Sequence, residues 1–94
     1  MNAEDLRHRS RKLALGVICF LRSLPENIEN RELCRQLFRS ATSVAVNYRA
    51  VGRARSTQEF IAKLSIVVEE IDETVFWLRS LTMVPFIQEQ ILMD

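Results

Sequence analysis

The stretch of sequence that decides the fold is residues 39–81, RSATSVAVNYRAVGRARSTQEFIAKLSIVVEEIDETVFWLRSL. It predicts the end of one long helix, an arginine-rich corner and a second long helix. Gly52 stands where the first of these helices can end, because glycine readily adopts the left-handed conformation that often follows a helix. Ser56 and Glu59 have the spacing of a capping box, which predicts that the next helix begins near Thr57.

The helix after the corner has a broad apolar face. Its apolar positions recur at steps of three and four, which is typical of a helix that turns one face toward a core. The stripe consists of Phe60, Leu64, Val67, Ile71, Val75, Leu78 and Thr82. Pro85 predicts that this helix ends near residue 82, because proline disrupts helix interiors. The residues that follow predict a short amphipathic helix over 86–93.

The helix before the corner carries a heptad-like apolar seam on one side. The seam consists of Leu33, Leu37, Ala41, Val44, Tyr48 and Val51. Asn30 or Asn27 can cap the start of this helix. Its middle contains the weak helix formers Ser40, Thr42, Ser43 and Asn47. They indicate either a polar face packed against a neighbour or ordinary surface that bonds back to the preceding turn.

The rest of the chain predicts one more helix and an all-α class. Residues from about Ala3 to Leu24 predict a helix that ends before Pro25. Its apolar residues line one face, and its basic residues lie on the polar face of the first half. Two glycines and two prolines in 94 residues leave too few turns for a sandwich or a barrel. We therefore predict a single helical bundle domain over residues 1–94, with helices at about 3–24, 30–52, 57–82 and 86–93.

Charge is distributed unevenly along the chain, although the net charge is only +1. Residues 1–55 contain eleven Lys and Arg against five Asp and Glu, which is a net charge of +6. Residues 56–94 contain two Lys and Arg against seven Asp and Glu, which is a net charge of −5. The two halves can neutralise each other across the bundle surface, where each exposed pair contributes about 0–1 kcal/mol. Alternatively, a basic face remains available for nucleic acid.

No residue pattern points to catalysis, a metal or a cofactor. Cys19 and Cys34 lie fifteen positions apart, and His8 is the only histidine. This excludes the usual zinc and Cys/His nucleophile arrangements, so we predict that both cysteines are small buried hydrophobes. The carboxylates at 69–73 lack a helpful partner for acid–base work. The prediction is a protein that is not an enzyme and takes no small-molecule substrate.

The apolar run at residues 13–21 follows a basic segment, as in a signal peptide. Arg22, Leu24 and Pro25 follow it, however, and no small-residue cleavage site does. Nine apolar residues are also too few to cross a bilayer. We therefore predict a cytoplasmic protein with no membrane contact.

Two blocks of this chain carry a resemblance to a known family. They are residues 36–56, QLFRSATSVAVNYRAVGRARS, and residues 59–74, EFIAKLSIVVEEIDET, followed by Trp77 and Leu78. With them the chain resembles the small bacterial four-helix bundle proteins named after 23S rRNA intervening sequences. The resemblance covers about half of the chain closely and the region from Leu13 to Leu37 loosely.

The resemblance implies an up-down-up-down four-helix bundle and, as in relatives of this fold, a ring-shaped homopentamer; the family has no established enzymatic activity. A more distant relative is the accessory variability determinant protein of diversity-generating retroelements, which partners a reverse transcriptase and binds nucleic acid. This chain departs from the family in two ways. Its fourth helix is short or truncated, and Val46 and Val51 stand where small residues are common.

Two functions are therefore expected. The first is a non-enzymatic homo-oligomer that acts as an interaction or scaffold module, with interface candidates Phe76, Trp77 and Phe86. The alternative is a nucleic-acid-binding accessory protein that contacts RNA or DNA backbone through an arginine-rich face. Its candidate residues are Arg49, Arg53, Arg55, Lys63, Arg7, Arg9, Arg11 and Lys12.

Overall fold

Three helices and two short connections make up the chain that the structure describes. A computed structural model describes residues 3–93, and their side chains except those of Phe86, Gln88, Leu92 and Met93. Helix α1 is Ala3–Arg22, α2 is Ile28–Val51 and α3 is Thr57–Met93. Both α1 and α3 pack against α2, whereas no Cα atom of α1 lies within 8 Å of one of α3 in the described residues.

The prediction of four helices is wrong for the described chain, because the residues expected to form a separate fourth helix continue α3. Pro85 lies inside α3. It removes one backbone hydrogen bond, the one to the Leu81 carbonyl, but the turns on either side keep theirs. A reversal there would need turn residues, and the chain has no glycine after Gly52. The helix therefore runs on past residue 82.

The uninterrupted α3 is longer than the body of the bundle. Its 37 residues rise by about 55 Å, and the 24 residues of α2 by about 36 Å. The molecule accordingly measures 56 × 25 × 22 Å. We call residues 82–93 of α3 the projecting end, since the antiparallel α2 begins at Ile28, about level with residue 86, and the last turns of α3 extend beyond it.

The helix starts are set by local side chains. The Asn27 carboxamide oxygen accepts a hydrogen bond from the Asn30 amide at 2.8 Å, so Asn27 is the cap of α2. Ser56 Oγ accepts from the Glu59 amide at 3.1 Å, as the capping box predicts. The Glu59 carboxylate, however, accepts from the amide of Arg55 at 3.3 Å and not from that of Ser56.

The helix ends differ in detail from the prediction. Helix α1 ends at Arg22, two residues before Leu24. Gly52 has φ −67° and ψ −10°, which is right-handed, so the left-handed conformation expected there is wrong. The corner instead continues as a helical turn, in which the amides of Arg53 and Ala54 donate to the carbonyls of Ala50 and Val51.

The core lies along the seam of α2, as the sequence predicts. Leu37 and Ala41 are completely buried and pack with Val17 of α1 and Leu81 of α3. A second buried cluster joins Val44 and Val51 of α2 to Val67 of α3. Most of the seam is buried because, of the three described helices, α2 alone packs against both of the others.

The apolar stripe predicted for α3 is covered only in part. Val67 is buried, but Phe60, Ile71 and Val75 are exposed. The residues of α3 that are buried against α2 include Thr74 and Leu81 instead. Because the backbone of α3 approaches that of α2 closely but not that of α1, part of a stripe wide enough for two neighbours remains open.

Buried hydroxyl groups also join α2 to α3. Ser40 Oγ lies 3.0 Å from Thr74 Oγ1, and both side chains are buried. The Leu37 carbonyl accepts from Ser40 and the Glu70 carbonyl is 2.7 Å from Thr74 Oγ1. This supports the packed-face interpretation of the polar residues in α2. Thr42 instead fits the interpretation as a residue that bonds back to the preceding turn, since its hydroxyl donates to the carbonyl of Phe38.

An ion-pair network crosses the same helix pair. The Arg39 guanidinium bonds the carboxylates of Glu70, at 3.2 Å, and Glu73. The hydrogen bond from Arg39 holds the pKa of Glu73 below its usual range. Part of the positive charge of α2 is thus neutralised by α3, as one of the two charge interpretations predicts.

The two cysteines differ in environment. Cys34 is half-buried beside the core, and burial raises the pKa of its thiol. Cys19 is exposed, so the prediction that it is buried is wrong. It lies on the side of α1 that faces away from α2.

Candidate interaction surfaces

A basic concavity of about 640 Å³ lies between α1 and α2. Arg7 and Arg11 reach it from α1, and Arg49 reaches it from α2. It is also lined by Glu4, His8, Ala45 and Val46. No ion pair of the three arginines is present among the residues that the structure describes. The concavity therefore has an excess of positive charge.

Helix geometry explains why these arginines meet. Arg7 and Arg11 are four residues apart and share one face of α1. Helices α1 and α2 are antiparallel neighbours, so the start of α1 lies beside the end of α2, where Arg49 is. The sequence predicts all three as nucleic-acid contacts but not that they converge. His8, which it does not predict, lines the same concavity because it lies four residues after Glu4 and three before Arg11 on one face of α1.

The other predicted nucleic-acid contacts lie elsewhere. The ammonium of Lys63 pairs with Glu59 at 3.1 Å, and this contact holds the pKa of Glu59 below its usual range. Arg9 lies at the edge of an apolar groove. Lys12, Arg53 and Arg55 are exposed, and none of them lines the basic concavity.

An apolar groove runs between α1 and α3. Its floor is formed by Val44 and Tyr48 of α2, and its walls by apolar residues of the two outer helices. These are Leu6 and Leu13 of α1, and Leu64, Val67, Val68 and Ile71 of α3. The groove exists because α1 and α3 diverge on either side of α2. A fourth helix of a bundle would cover it.

The projecting end is a second uncovered apolar surface. Met83, Val84, Ile87 and Ile91 are all exposed. Seventeen large hydrophobic residues are exposed among the described positions, and many of them belong to the groove or to α3. Contiguous apolar surface of this kind usually marks a site of association.

The interface candidates have different positions on α3. Phe76 is 60% exposed. Trp77 is half-buried against the core, stacks edge to face on Phe76 with ring centroids 4.9 Å apart, and donates to Glu73. The side chain of Phe86 lies outside the described part of the chain. Of the candidates that are described, Phe76 is the one open to a partner.

The described helices include none that is long and apolar enough to cross a membrane. Within the same residues, no group of three or more His, Cys, Asp or Glu could hold a metal ion.

Comparison with known proteins agrees with the motif resemblance. The family model described as 23S rRNA-intervening sequence protein matches residues 4–94. Neither the search of curated proteins nor that of solved structures found a significant match. Because the family model covers nearly the whole chain, this three-helix protein belongs to the family of 23S rRNA-intervening sequence proteins.

Proposed function

We propose that this chain is a non-enzymatic helical module that works by self-association and acts as a scaffold for other macromolecules. The observation that carries the proposal is a pair of apolar surfaces, the groove and the projecting end, which lie toward opposite ends of α3. Both are uncovered in the single chain. Apolar surface contributes about 25 cal/mol for each Å² removed from water, so a second copy that covers it stabilises the assembly.

The surface is built for contact between helices. The groove has walls of Leu, Val and Ile on rigid helices, and the projecting end is itself a helix. Helix-in-groove packing uses such a pair of surfaces. The family resemblance implies a ring of five copies, in which neighbouring copies would cover the groove and the projecting end.

The solution mass tests this proposal. We expect nuclease-treated protein to elute, in size-exclusion chromatography with light scattering, above the 10.9 kDa of one chain. A ring would have five times that mass. A mass of one chain at every concentration up to the millimolar range would contradict self-association.

A second candidate function is binding to the backbone of RNA or DNA through the basic concavity. The observation that favours it is the convergence of Arg7, Arg11 and Arg49, none of which has an ion pair with a carboxylate in the part of the chain that the structure describes. Arginine is well suited to phosphate because its guanidinium binds two oxygens at once. In an assembly, several weak sites would bind one nucleic-acid strand together, which raises the overall affinity.

Replacement of Arg7, Arg11 and Arg49 together by Gln tests this function. We expect the affinity for a fluorescent single-stranded RNA or DNA to fall, because positive charge near the phosphates is lost. The slope of log affinity against log salt should decrease by roughly 0.7 for each phosphate contact removed. The matched control replaces Arg22, Arg31 and Arg35, at the other end of the bundle, by Gln. Equal effects of both triple variants would refute a localised site.

A further inference from the structure

Phe38 is an exposed aromatic residue on the same face of α2 as the basic concavity. Its side chain is 48% exposed. Phe38 precedes Ala45 by seven residues and Arg49 by eleven, which is close to two and three whole turns of helix. Ala45 and Arg49 both line the concavity. The phenyl ring therefore borders the continuation of the concavity along α2.

Leu15 brings a second apolar side chain to this continuation from α1. It follows Arg11 by four residues, so the two share a face of α1, and it is 53% exposed. Val17 of α1 and Leu37 of α2 belong to one core cluster. Leu15 lies two residues before Val17, and Phe38 lies one residue after Leu37. Because α1 and α2 are antiparallel, Leu15 and Phe38 stand at nearly the same level on either side of the space between the helices.

We call the basic concavity and its continuation to Leu15 and Phe38 the furrow. Its positive charge is concentrated at the end that the concavity forms. Three arginines and one carboxylate, that of Glu4, line the concavity, so its charge is +2 when His8 is neutral. Beyond Phe38, Arg35 is paired with Glu32 at 2.8 Å. The furrow thus joins a cationic end to an apolar step that includes an aromatic ring.

We propose that the furrow binds a single-stranded nucleic acid, with phosphates on the arginines of the concavity and a base stacked on Phe38. The inference rests on the second candidate function and names its ligand and a further contact. A single strand can turn a base onto an aromatic side chain, whereas the bases of a duplex are stacked on one another. Phe38 therefore favours the single strand over the duplex.

The spacing of the two ends of the furrow fits a strand. The level of Phe38 is about five residues from Arg11 along α1, which corresponds to ~8 Å. Successive nucleotides of a stacked strand are about 3.4 Å apart along its axis. About two nucleotides therefore separate a phosphate bound by Arg11 from the base on Phe38.

An acidic peptide is the other ligand that a basic and apolar furrow could accept. Because three arginines converge in one concavity, the ligand must bring several negative charges close together. Every nucleotide carries a phosphate and a flat base, so any stretch of strand offers both groups. A peptide must place carboxylates and a large apolar side chain at matching positions. The furrow therefore fits a nucleic acid better.

Phe38→Leu tests the stacked base, with fluorescence anisotropy of a short single-stranded oligonucleotide as the measurement. We expect the dissociation constant to rise roughly fivefold to a hundredfold, the range for the loss of one stacked base. The slope of log affinity against log salt should stay that of the wild type, because no charge is removed. Phe38→Trp should retain the affinity, since an indole ring also stacks.

An abasic strand of the same length is the matched probe, because it keeps the phosphates and lacks the bases. The wild type should bind it as weakly as Phe38→Leu binds the normal strand, and Phe38→Leu should not weaken its binding further. Phe76→Leu is the matched control variant. It makes the same change at a ring that is 60% exposed on α3, and it should leave every affinity unchanged. Circular dichroism checks that each variant folds.

The outcomes separate this inference from the second candidate function. Equal affinity of the wild type for normal and abasic strands would overturn the stacked base and leave backbone binding in place. Equal losses in Phe38→Leu and Phe76→Leu would also overturn it. Tighter binding of polyglutamate than of the strand, weakened by Phe38→Leu, would assign the furrow to acidic peptides instead. A wild type that binds no RNA or DNA at low salt would overturn both ideas.

Discussion

Leu37→Ala is expected to lower the free energy of unfolding by about 2–5 kcal/mol, the range for deleting a fully buried leucine side chain. Leu37 is completely buried at the point where residues of α1 and α3 meet the seam of α2. The helices cannot collapse on the cavity without losing the hydroxyl contact between Ser40 and Thr74, one turn away. Small domains have a total stability of about 5–15 kcal/mol, so the variant is expected to be partly unfolded at 37 °C.

Urea unfolding followed by circular dichroism at 10 °C measures the effect. All variants are compared at one protein concentration, because association shifts the apparent stability. Leu15→Ala is the matched control, since it makes the same change at a residue that is 53% exposed. We expect it to lower the free energy of unfolding by less than about 1 kcal/mol. Leu37→Met should retain most of the stability, since the volume is kept. Equal losses at Leu37 and Leu15 would contradict a core centred on Leu37.

Ala41→Leu is expected to cost about 1–3 kcal/mol, because extra methylene groups in a packed core force neighbours apart. Ala41 has no exposed surface and contacts the same cluster as Val17 and Leu81. Its small side chain allows both outer helices to approach α2 at one level. A leucine at position 41 must push α1 or α3 away from α2, because a shift of the α2 backbone away from one outer helix moves it toward the other.

Thermal unfolding of Ala41→Leu and Ala62→Leu makes a matched comparison. Ala62 is exposed on α3, and alanine and leucine have similar helix propensities. The replacement of Ala62 by Leu should therefore change the free energy of unfolding by less than about 0.5 kcal/mol. A stability of Ala41→Leu equal to that of the wild type would show that the helices are not in contact at Ala41. It would place α1 or α3 farther from α2 than the structure does.

The arginines show how far sequence reasoning reaches toward a site. Their number and their position in the first half of the chain are enough to indicate a basic surface. Whether a given arginine is free depends on distant carboxylates. Arg39 is neutralised by Glu70 and Glu73, about thirty residues later. Arg49 has no such neighbour among the described residues and instead meets Arg7 and Arg11.

The projecting end shows a different limit. Proline ends most helices, and the sequence contains no local sign that α3 should continue through Pro85. The one signal for continuation was indirect: the chain has no glycine or asparagine after Gly52 to form a reversal. Helix continuation here depends on the balance between one lost hydrogen bond and the formation of a turn without glycine or asparagine.

The sequence by itself determined the all-α class, the cap of α3 at Ser56, and the buried seam through Leu37, Ala41 and Val44. These features depend on residues close together in the chain, whose spacing sets which side chains share a helix face. Only the tertiary structure decided that α1 and α3 each pack on α2 while their Cα atoms stay more than 8 Å apart in the described residues. That arrangement leaves the groove uncovered, because burial depends on where neighbouring helices lie and not on the periodicity of one helix.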